Sequence, residues 1–196
     1  RDRSVSRGLG DVYKRQNSKP VYLELGCGKG GFISKAASSD CGKNFIAVDI
    51  KNEMLVLAKR KIEEEYEKNS LKFDNIRIFI KNIMQIDGVF SKEDGIERIY
   101  INFCNPWPKS KHKKRRLTHY RQLIKYKEFL NGEIWFKTDD DDLFAESVEY
   151  FEQAGYKIKY KTYDLHGSGF KENIVTEHEQ MFTDEGKKIK FLIAST

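Results

Sequence analysis

An Asn-Pro-Trp-Pro-Lys segment, residues 105–109, is the part of this sequence best suited to act on a planar group. It follows an apolar run at 99–101, which predicts a buried strand. The two prolines end that strand, because proline has no N–H to donate to the ladder and has a restricted φ. Asn105 and Trp107 are therefore expected on a rigid loop at the carboxyl end of a strand. The indole of Trp107 either stacks on a planar ligand or fills the wall of a cleft.

A basic run continues directly from this loop, since six of the eight residues from 109 to 116 are Lys or Arg. Runs of charge are often only solvated surface. The position of this run, beside a loop that carries an amide and an indole, favours a phosphate-binding edge next to a pocket for a planar group. The predicted phosphate-binding residues are Lys109, Lys111, Lys113, Lys114, Arg115 and Arg116.

A second candidate site lies near the start of the chain, where the apolar strand Val21–Leu25 runs into the pattern Glu24-x-Gly26-x-Gly28-x-Gly30. Glycines permit a tight turn and the close approach of a ligand to the backbone. The spacing differs from the G-x-G-x-x-G of dinucleotide-binding turns, and an acid stands just before the loop. A ligand with a cationic reactive end suits this arrangement. S-adenosylmethionine, with its sulfonium and ammonium groups, is such a ligand.

Two further polar residues close predicted strands. Asp49 ends the strand Asn44–Asp49, about twenty residues after the glycine loop, where an acid commonly accepts hydrogen bonds from both ribose hydroxyls of an adenosine ligand. Its alternative role is to cap the next helix. Asn82 follows the strand Ile76–Ile80 and either contacts an adenine edge or is an ordinary turn residue.

The elements that must position these residues alternate between strands and helices, which predicts a Rossmann-like, doubly wound α/β fold. We expect a mostly parallel, seven-stranded sheet with an antiparallel C-terminal strand, in one domain over 17–196. In such sheets ligands bind at the carboxyl ends of the strands. The remaining predicted strands span 133–137, 156–163 and 190–194, the last two as an antiparallel pair. The predicted helices span 32–37 and 52–66, then one capped by Thr118 that carries Tyr120, Leu123, Tyr126 and Leu130, and one that carries Phe144, Val148 and Phe151.

Composition limits the possible functions. The 196 residues carry a net charge of +6, which suits a nucleic-acid partner. Three cysteines without C-x-x-C spacing and four scattered histidines indicate neither a disulfide framework nor a metal site. No apolar run approaches the ~20 residues of a membrane span, so a cytoplasmic location is predicted. Residues 1–16 differ from the rest of the sequence and are expected to be disordered or non-native.

Together with Lys137-Thr138-Asp139 and Thr176-Glu177-His178-Glu179, these motifs resemble the bacterial tRNA (guanine-N7-)-methyltransferases, from about residue 21 to the C-terminus. The resemblance implies the class I methyltransferase fold, S-adenosylmethionine as cofactor, tRNA as partner, no metal, and methylation of N7 of guanine 46 in the variable loop. A monomer and a homodimer both stay open. The implied cofactor contacts are Glu24, Gly26, Gly28, Gly30, Asp49, Asn82 and Asn105. The implied substrate contacts are Trp107, Lys109, Asp139, Thr176, Glu177, His178 and Glu179, besides the basic run.

Asn105 and Asp139 are the predicted catalytic residues. The family usually has Asp at the position of Asn105 and an aromatic residue at that of His178. Guanine N7 has a free lone pair and no proton, so catalysis rests mainly on alignment. Asn105 is expected to donate to guanine O6 or to orient the cofactor, while Asp139 and Glu179 meet the N1–H and N2 amino edge.

Two alternatives remain at this point. Asn105-Pro106-Trp107 is similar to the Asn-Pro-Pro-aromatic loops of enzymes that methylate exocyclic amines, which allows an amino-methyltransferase. The amide at 105 also allows a tRNA-binding protein with weakened catalysis.

Overall fold

The structure, a computed structural model, describes residues 17–196. The prediction for residues 1–16 lies outside this range. Within it lie seven strands and five α-helices, with an α-helix between successive strands except between the third and the fourth. The strands are β1 Val21–Leu25, β2 Asn44–Asp49, β3 Ile76–Ile80, β4 Ile96–Asn102, β5 Leu130–Thr138, β6 Lys157–Thr162 and β7 Lys190–Ser195. The helices are α1 Gly31–Ser39, α2 Asn52–Lys68, α3 Tyr120–Lys127, α4 Asp141–Gln153 and α5 Glu177–Asp184.

The seven strands form one sheet in the order β3-β2-β1-β4-β5-β7-β6. Neighbouring strands from β3 to β5 are parallel, and β7 lies antiparallel between β5 and β6. The predicted doubly wound sheet with an antiparallel last strand is confirmed. The strand order reverses between β1 and β4, so a crevice opens beyond their carboxyl ends, where open α/β sheets bind ligands.

Helices cover both faces of the sheet, and alternate residues of each central strand point to opposite faces. Leu23 and Ile99 belong to a core cluster shared with residues of α3 and α4. Tyr22 and Tyr100, one position along, belong to a second cluster shared with residues of α1 and α2. The two helical layers hold the strands, and therefore the residues at their carboxyl ends, in a fixed relation.

The third helix differs from its prediction. α3 begins at Tyr120, and its N-cap is His119, whose side chain accepts a hydrogen bond from the Arg121 N–H at 3.2 Å. Thr118 is instead buried, with its hydroxyl 2.6 Å from that of Ser147 on α4. Leu130 is the first residue of β5. Its apolar spacing matched the helix because Leu130 packs into the same core cluster as the buried face of α3.

Gly30, the N-cap of α1, explains one of the glycines in the loop. Its φ is +77°, and an added Cβ would lie 2.9 Å from the Cα and Cβ of Ala58 on α2. Only glycine combines that backbone conformation with such close packing of α1 on α2. The third glycine of the pattern therefore fixes the helix that follows the loop.

Candidate active site

An open cleft of about 440 Å³ lies beyond the carboxyl ends of β1 and β4. The glycine loop forms one wall, and the first turn of α5 with the residue before it forms the other. The lining residues are Glu24, Gly26, Cys27, Gly28, Lys29, Gly31, Phe32, Met54, Lys61, Asn102, Phe103, Thr176, Glu177, His178 and Met181. The structure thus brings two distant sequence motifs, the glycine loop and 176–178, to opposite sides of one cleft.

Glu24 lies at the base of this cleft and is only 2 % exposed. One carboxyl oxygen, Oε1, accepts a hydrogen bond from the Asn102 side chain at 3.1 Å, while Oε2 is buried without a partner. Burial raises the pKa of Glu24 from its ordinary 4.5 to about 8, although Asn102 and the nearby Lys137 charge oppose the shift. An unpaired buried carboxyl is costly, so this oxygen marks a place for a donor or a cation.

Asp49 shapes the glycine loop. Its Oδ2 accepts the Gly28 N–H at 2.9 Å, and its Oδ1 accepts the Lys51 N–H at 2.9 Å. Gly28 has φ +51°, and an added Cβ would meet no atom within 4 Å. The acid at the end of β2 therefore holds the backbone of the loop at a point where the loop faces open space.

Of the predicted cofactor residues, four lie outside the cleft lining: Gly30, Asp49, Asn82 and Asn105. Asn82 caps the short 3₁₀ turn Ile83–Gln85, and its Oδ1 accepts the Met84 N–H at 3.0 Å. Asn105 is exposed, and its Oδ1 accepts the Trp107 N–H at 3.0 Å. In both asparagines the side-chain oxygen shapes a local turn.

The loop around Asn105 has an unusual backbone. Phe103 has φ 51° and Trp107 has φ 42°, a left-handed conformation that costs a bulky L-residue about 1–2 kcal/mol. Phe103 N–H donates to the Lys137 carbonyl at 2.8 Å, which anchors the start of the loop to β5. Strained backbone of this kind persists where the surroundings hold it and is typical of functional sites.

Trp107 packs against the basic run rather than into the core. The Arg115 guanidinium lies 5.2 Å from the centroid of the indole, and the His112 ring lies 5.8 Å from it. The run itself forms the 3₁₀ segment Ser110–Arg115. Its exposed cations, which we call the basic face, are Lys109, Lys111, Lys114 and Arg115.

The other two cations of the run are engaged with the protein. Lys113 donates to Glu146 of α4 at 2.5 Å. Arg116 is 1 % exposed, donates from Nε to the Pro106 carbonyl at 2.6 Å, and pairs through Nη1 with Glu146 at 2.9 Å. The structure therefore places Arg116, predicted to hold phosphate, inside the protein, because an acid and a carbonyl distant in sequence sequester its guanidinium.

Glu179 is likewise enclosed. Its carboxylate accepts hydrogen bonds from Lys137 at 2.5 Å and Asn173 at 2.7 Å, and lies 2.8 Å from His166 Nε2. The side chains of Lys137 and Glu179 are 3 % and 0 % exposed. Burial lowers the pKa of Lys137, and the charge of Glu179 opposes that shift. Glu179 thus fastens the start of α5 to β5 and does not line the cleft, in contrast to the predicted contact with guanine.

The remaining residues of this motif do face the cleft. Thr176 caps α5 by accepting the Glu179 N–H at 3.1 Å, and Glu177 pairs with Lys61 of α2 at 2.8 Å. His178 packs its ring 4.8 Å from that of Phe182 and 5.7 Å from that of Phe103. The imidazole therefore takes part in a ring cluster, as an aromatic residue would at this position.

Asp139 follows β5 and is partly exposed. Its carbonyl accepts a hydrogen bond from Lys190 at 2.9 Å, and its carboxylate lies 3.9 Å from Lys187. The longer distance leaves the carboxylate only weakly engaged. Asp139 is therefore the less constrained of the two acids predicted to contact the guanine edge.

Sequence reasoning assigned no role to three residues that matter here. Asn102 bonds Glu24, Phe103 lines the cleft, and Lys137 holds Glu179. Lys137 carried a usable signal, since a lysine inside an apolar strand is rarely buried without a charged partner. Asn102 and Phe103 gave no comparable signal.

Neither a metal cluster nor a membrane-spanning helix is present in residues 17–196. No group of three or more His, Cys, Asp or Glu side chains in that range could hold a metal ion. No helix in the same range combines the length and the apolar character that a membrane crossing demands.

Comparison with known proteins adds independent information. A family model described as "Putative methyltransferase" matches residues 18–192. A protein of Clostridium beijerinckii named tRNA (guanine-N(7)-)-methyltransferase is 61 % identical over 180 residues, which cover 91 % of this chain and 82 % of the relative. A protein of the same name from Ruminiclostridium cellulolyticum is 62 % identical over 181 residues, covering 91 % and 77 %.

Solved structures match the fold at low identity. The 16S rRNA methyltransferase KamB superposes with a TM-score of 0.66 at 11 % identity, covering 94 % of this chain and 91 % of that chain. An antibiotic-related methyltransferase gives a TM-score of 0.65 at 15 % identity, covering 96 % and 94 %. These likenesses establish a fold shared with methyltransferases.

Proposed function

This chain belongs to the family of bacterial tRNA (guanine-N7-)-methyltransferases, and on that premise we propose that it transfers the methyl group of S-adenosylmethionine to N7 of guanine 46 in the variable loop of tRNA. One observation carries the proposal. A cleft with an unpaired buried acid, a strained amide-bearing loop and an exposed basic face all lie at or directly beyond the carboxyl ends of β1, β4 and β5.

The cleft fits the cofactor. Glu24 Oε2, buried and unpaired, suits the positively charged ammonium of S-adenosylmethionine. Gly28 faces open space. Because it has no side chain to occupy that space, the loop backbone can approach a ligand closely. Asp49 holds that loop and stands where ribose hydroxyls are usually bound. When bound, the cofactor supplies an electrophilic methyl group on a sulfonium.

The acceptor chemistry needs alignment more than proton transfer. Guanine N7 carries a lone pair and no proton, so no side chain must act as a base. Because the Oδ1 of Asn105 is used by the Trp107 N–H, the amide offers its Nδ2 donor to a substrate, which suits guanine O6. The hydrogen bond from the Trp107 N–H keeps the amide, and therefore that donor, in place.

Recognition of the guanine N1–H and N2 edge falls to Asp139 in this proposal. Its carboxylate has only a distant lysine neighbour, whereas Glu179 is sealed by three partners. Glu179 instead holds Thr176, Glu177 and His178 at the cleft. The basic face, Lys109, Lys111, Lys114 and Arg115, would bind tRNA phosphates, which dominate the affinity of proteins for nucleic acids.

The test is a product analysis. The protein is incubated with labelled S-adenosylmethionine and a tRNA transcript that lacks 7-methylguanosine, and the product is treated with borohydride and aniline. We expect cleavage at position 46, because only 7-methylguanosine sensitises the chain there. A transcript with adenosine at position 46 is the control and should stay intact.

Other outcomes would contradict the proposal in different ways. Label in an exocyclic amino group, without cleavage, would assign the chain to the amino-methyltransferases. Binding of tRNA without any label transfer would assign it to tRNA-binding proteins without catalysis. Cleavage at a guanosine other than 46 would retain the N7 chemistry and overturn the position.

A further inference from the structure

Arg116 is the one cation of the basic run that is almost fully buried. Its side chain is 1 % exposed, and two of its nitrogens have protein partners, the Pro106 carbonyl at 2.6 Å and Glu146 Oε2 at 2.9 Å. A guanidinium can satisfy both at once, because its donors form a rigid planar fork. To contact a phosphate, Arg116 would have to abandon an ion pair and leave the interior.

The partner of Arg116 is itself firmly placed. Glu146 lies on α4 and also accepts hydrogen bonds from Lys113 at 2.5 Å and the Tyr150 hydroxyl at 3.4 Å. Burial would raise the pKa of Glu146, but the Lys113 hydrogen bond and the Arg116 charge hold it below its usual value. One residue further along α4, Ser147 bonds Thr118, a second tie to the segment after the basic run.

The second contact of the Arg116 guanidinium, from Nε, is to the loop that carries Asn105. Pro106 lies between Asn105 and Trp107, and the loop contains two bulky residues at positive φ. Such a conformation persists only where neighbouring groups hold it. The hydrogen bond from Arg116 to the Pro106 carbonyl supplies that support at the centre of the loop.

We propose that Arg116 and Glu146 are positioning residues for methyl transfer, and that this ion pair holds the loop of Asn105 and Trp107 in its reactive geometry. The inference rests on the proposed function, since it concerns the same loop. It separates Arg116 from the basic face, whose members act on tRNA directly. A loop displaced by about 1 Å costs catalysis, whereas phosphate affinity depends on the exposed cations of the basic face.

Arg116→Lys is the first variant. It keeps the charge, but a single ammonium cannot replace both contacts of the fork. We expect kcat at saturating tRNA to fall about tenfold or more. The salt dependence of tRNA binding should stay at the parent value. A phosphate contact would give the opposite pattern, with an unchanged kcat and, in Arg116→Met, a salt slope lower by about one.

Glu146→Gln is the decisive variant, because simple electrostatics and positioning predict different results. Loss of a negative charge beside the basic face would, by electrostatics alone, tighten tRNA binding and leave kcat unchanged. Positioning predicts a fall in kcat similar to that of Arg116→Lys. Glu149→Gln is the matched control, an exposed acid on the same helix, and should retain the parent kcat. A folded Glu146→Gln protein with parent kcat would overturn the inference.

A readout independent of activity completes the test. The chain has two tryptophans, so their indole N–H resonances are readily assigned by NMR. Glu146→Gln should shift the resonance of Trp107 and leave that of Trp135 in place, while Glu149→Gln should shift neither. An unmoved Trp107 resonance would contradict the inference even if the parent protein methylated no tRNA. Failure of the parent in the product analysis counts only against the proposed function.

Discussion

Glu24 is the residue at which the proposed cofactor role and the stability of the fold make opposite demands. It is the last acid before the glycine loop, yet one of its carboxyl oxygens is buried without any partner. A raised pKa of about 8 follows from that burial. Buried groups with strongly raised pKa values and a cleft beside them are typical of functional sites.

Replacement of Glu24 by Gln should therefore weaken cofactor binding and stabilise the fold at high pH. The unfolded chain loses this proton near pH 4.5 and the folded chain near pH 8, so the folded state binds more protons between them. Stability contributed by Glu24 is fully present below pH 4.5 and is lost as the pH rises through 8. Gln cannot ionise, so its advantage in melting temperature should grow from pH 5 to pH 9.

Thermal melts across that range, with calorimetric titration of S-adenosylmethionine, make the check for Glu24→Gln. We expect affinity to fall about tenfold or more through the loss of a charge-assisted contact. The parent protein should also bind the cofactor more weakly below pH 8, where Glu24 is protonated before binding. Parent-like affinity in the variant would remove Glu24 from the cofactor site.

Asn105 allows a comparison between an amide and the acid that the family usually has. Asn105→Asp keeps an oxygen for the Trp107 N–H and adds a carboxylate that can stabilise the cationic product, so kcat should stay within about tenfold of the parent. Asn105→Ala loses both the donor and the turn, and kcat should fall about a hundredfold. Single-turnover rates measure both. An alanine variant at the parent rate would exclude Asn105 from the reaction.

At the scale of elements, the important feature is the attachment of α5 to the sheet. The segment 173–179 is held by lysines from three elements. Lys35 of α1 donates to the Val175 carbonyl at 2.8 Å, Lys61 of α2 pairs with Glu177, and Lys137 of β5 pairs with Glu179. These contacts make one wall of the cleft from a segment that lies outside the sheet.

The three attachments should differ greatly in strength. Lys137→Met leaves Glu179 without its cation in the interior, and the free energy of unfolding should drop by about 3–5 kcal/mol. Lys61→Met breaks a pair whose side chains are 29 % and 79 % exposed, and should cost no more than about 1 kcal/mol. Urea denaturation compares the two. Adding Glu179→Met to Lys137→Met should restore part of the lost stability. Equal losses of stability in Lys137→Met and Lys61→Met would contradict this ranking.

At the scale of the whole molecule, the location of the charges matters more than the net charge. The net charge of +6 is modest for 196 residues, but the basic face gathers four exposed cations beside the loop of Asn105. The sheet edge therefore places the cleft and the exposed basic face side by side. In the proposed function, this arrangement would let a large tRNA be held by its phosphates while one base reaches the loop.

Replacement of Lys111, Lys114 and Arg115 by Gln should weaken tRNA binding and lower the slope of log affinity against log salt by about two to three. The matched control changes the same charge on the edge strand β6, by Lys157, Lys159 and Lys161 to Gln. That protein should keep the parent slope. Binding measured by filter retention at several salt concentrations distinguishes them, and equal losses in both variants would mean that only net charge matters.

Much of the molecule followed from sequence alone. Apolar periodicity and turn residues predicted the seven strands and their order of appearance, because those signals depend on neighbouring residues. The glycine pattern predicted the turn after β1, and the prolines predicted the loop of Asn105 after β4. The start and end of α3 were misplaced, since apolar spacing continued from the helix into β5, and the short helix α5 was not predicted.

Tertiary structure decided which charged and polar side chains are available for function. The sequence gives no reason to separate Arg116 from Lys111, since both are cations of the same basic run. In the structure, Arg116 donates to Glu146 and to the Pro106 carbonyl, whereas Lys111 is exposed. Glu24 is left unpaired, while Glu179 is sealed by three partners. The physical reason is that burial and pairing of charge depend on contacts between residues far apart in the chain, which local patterns do not encode.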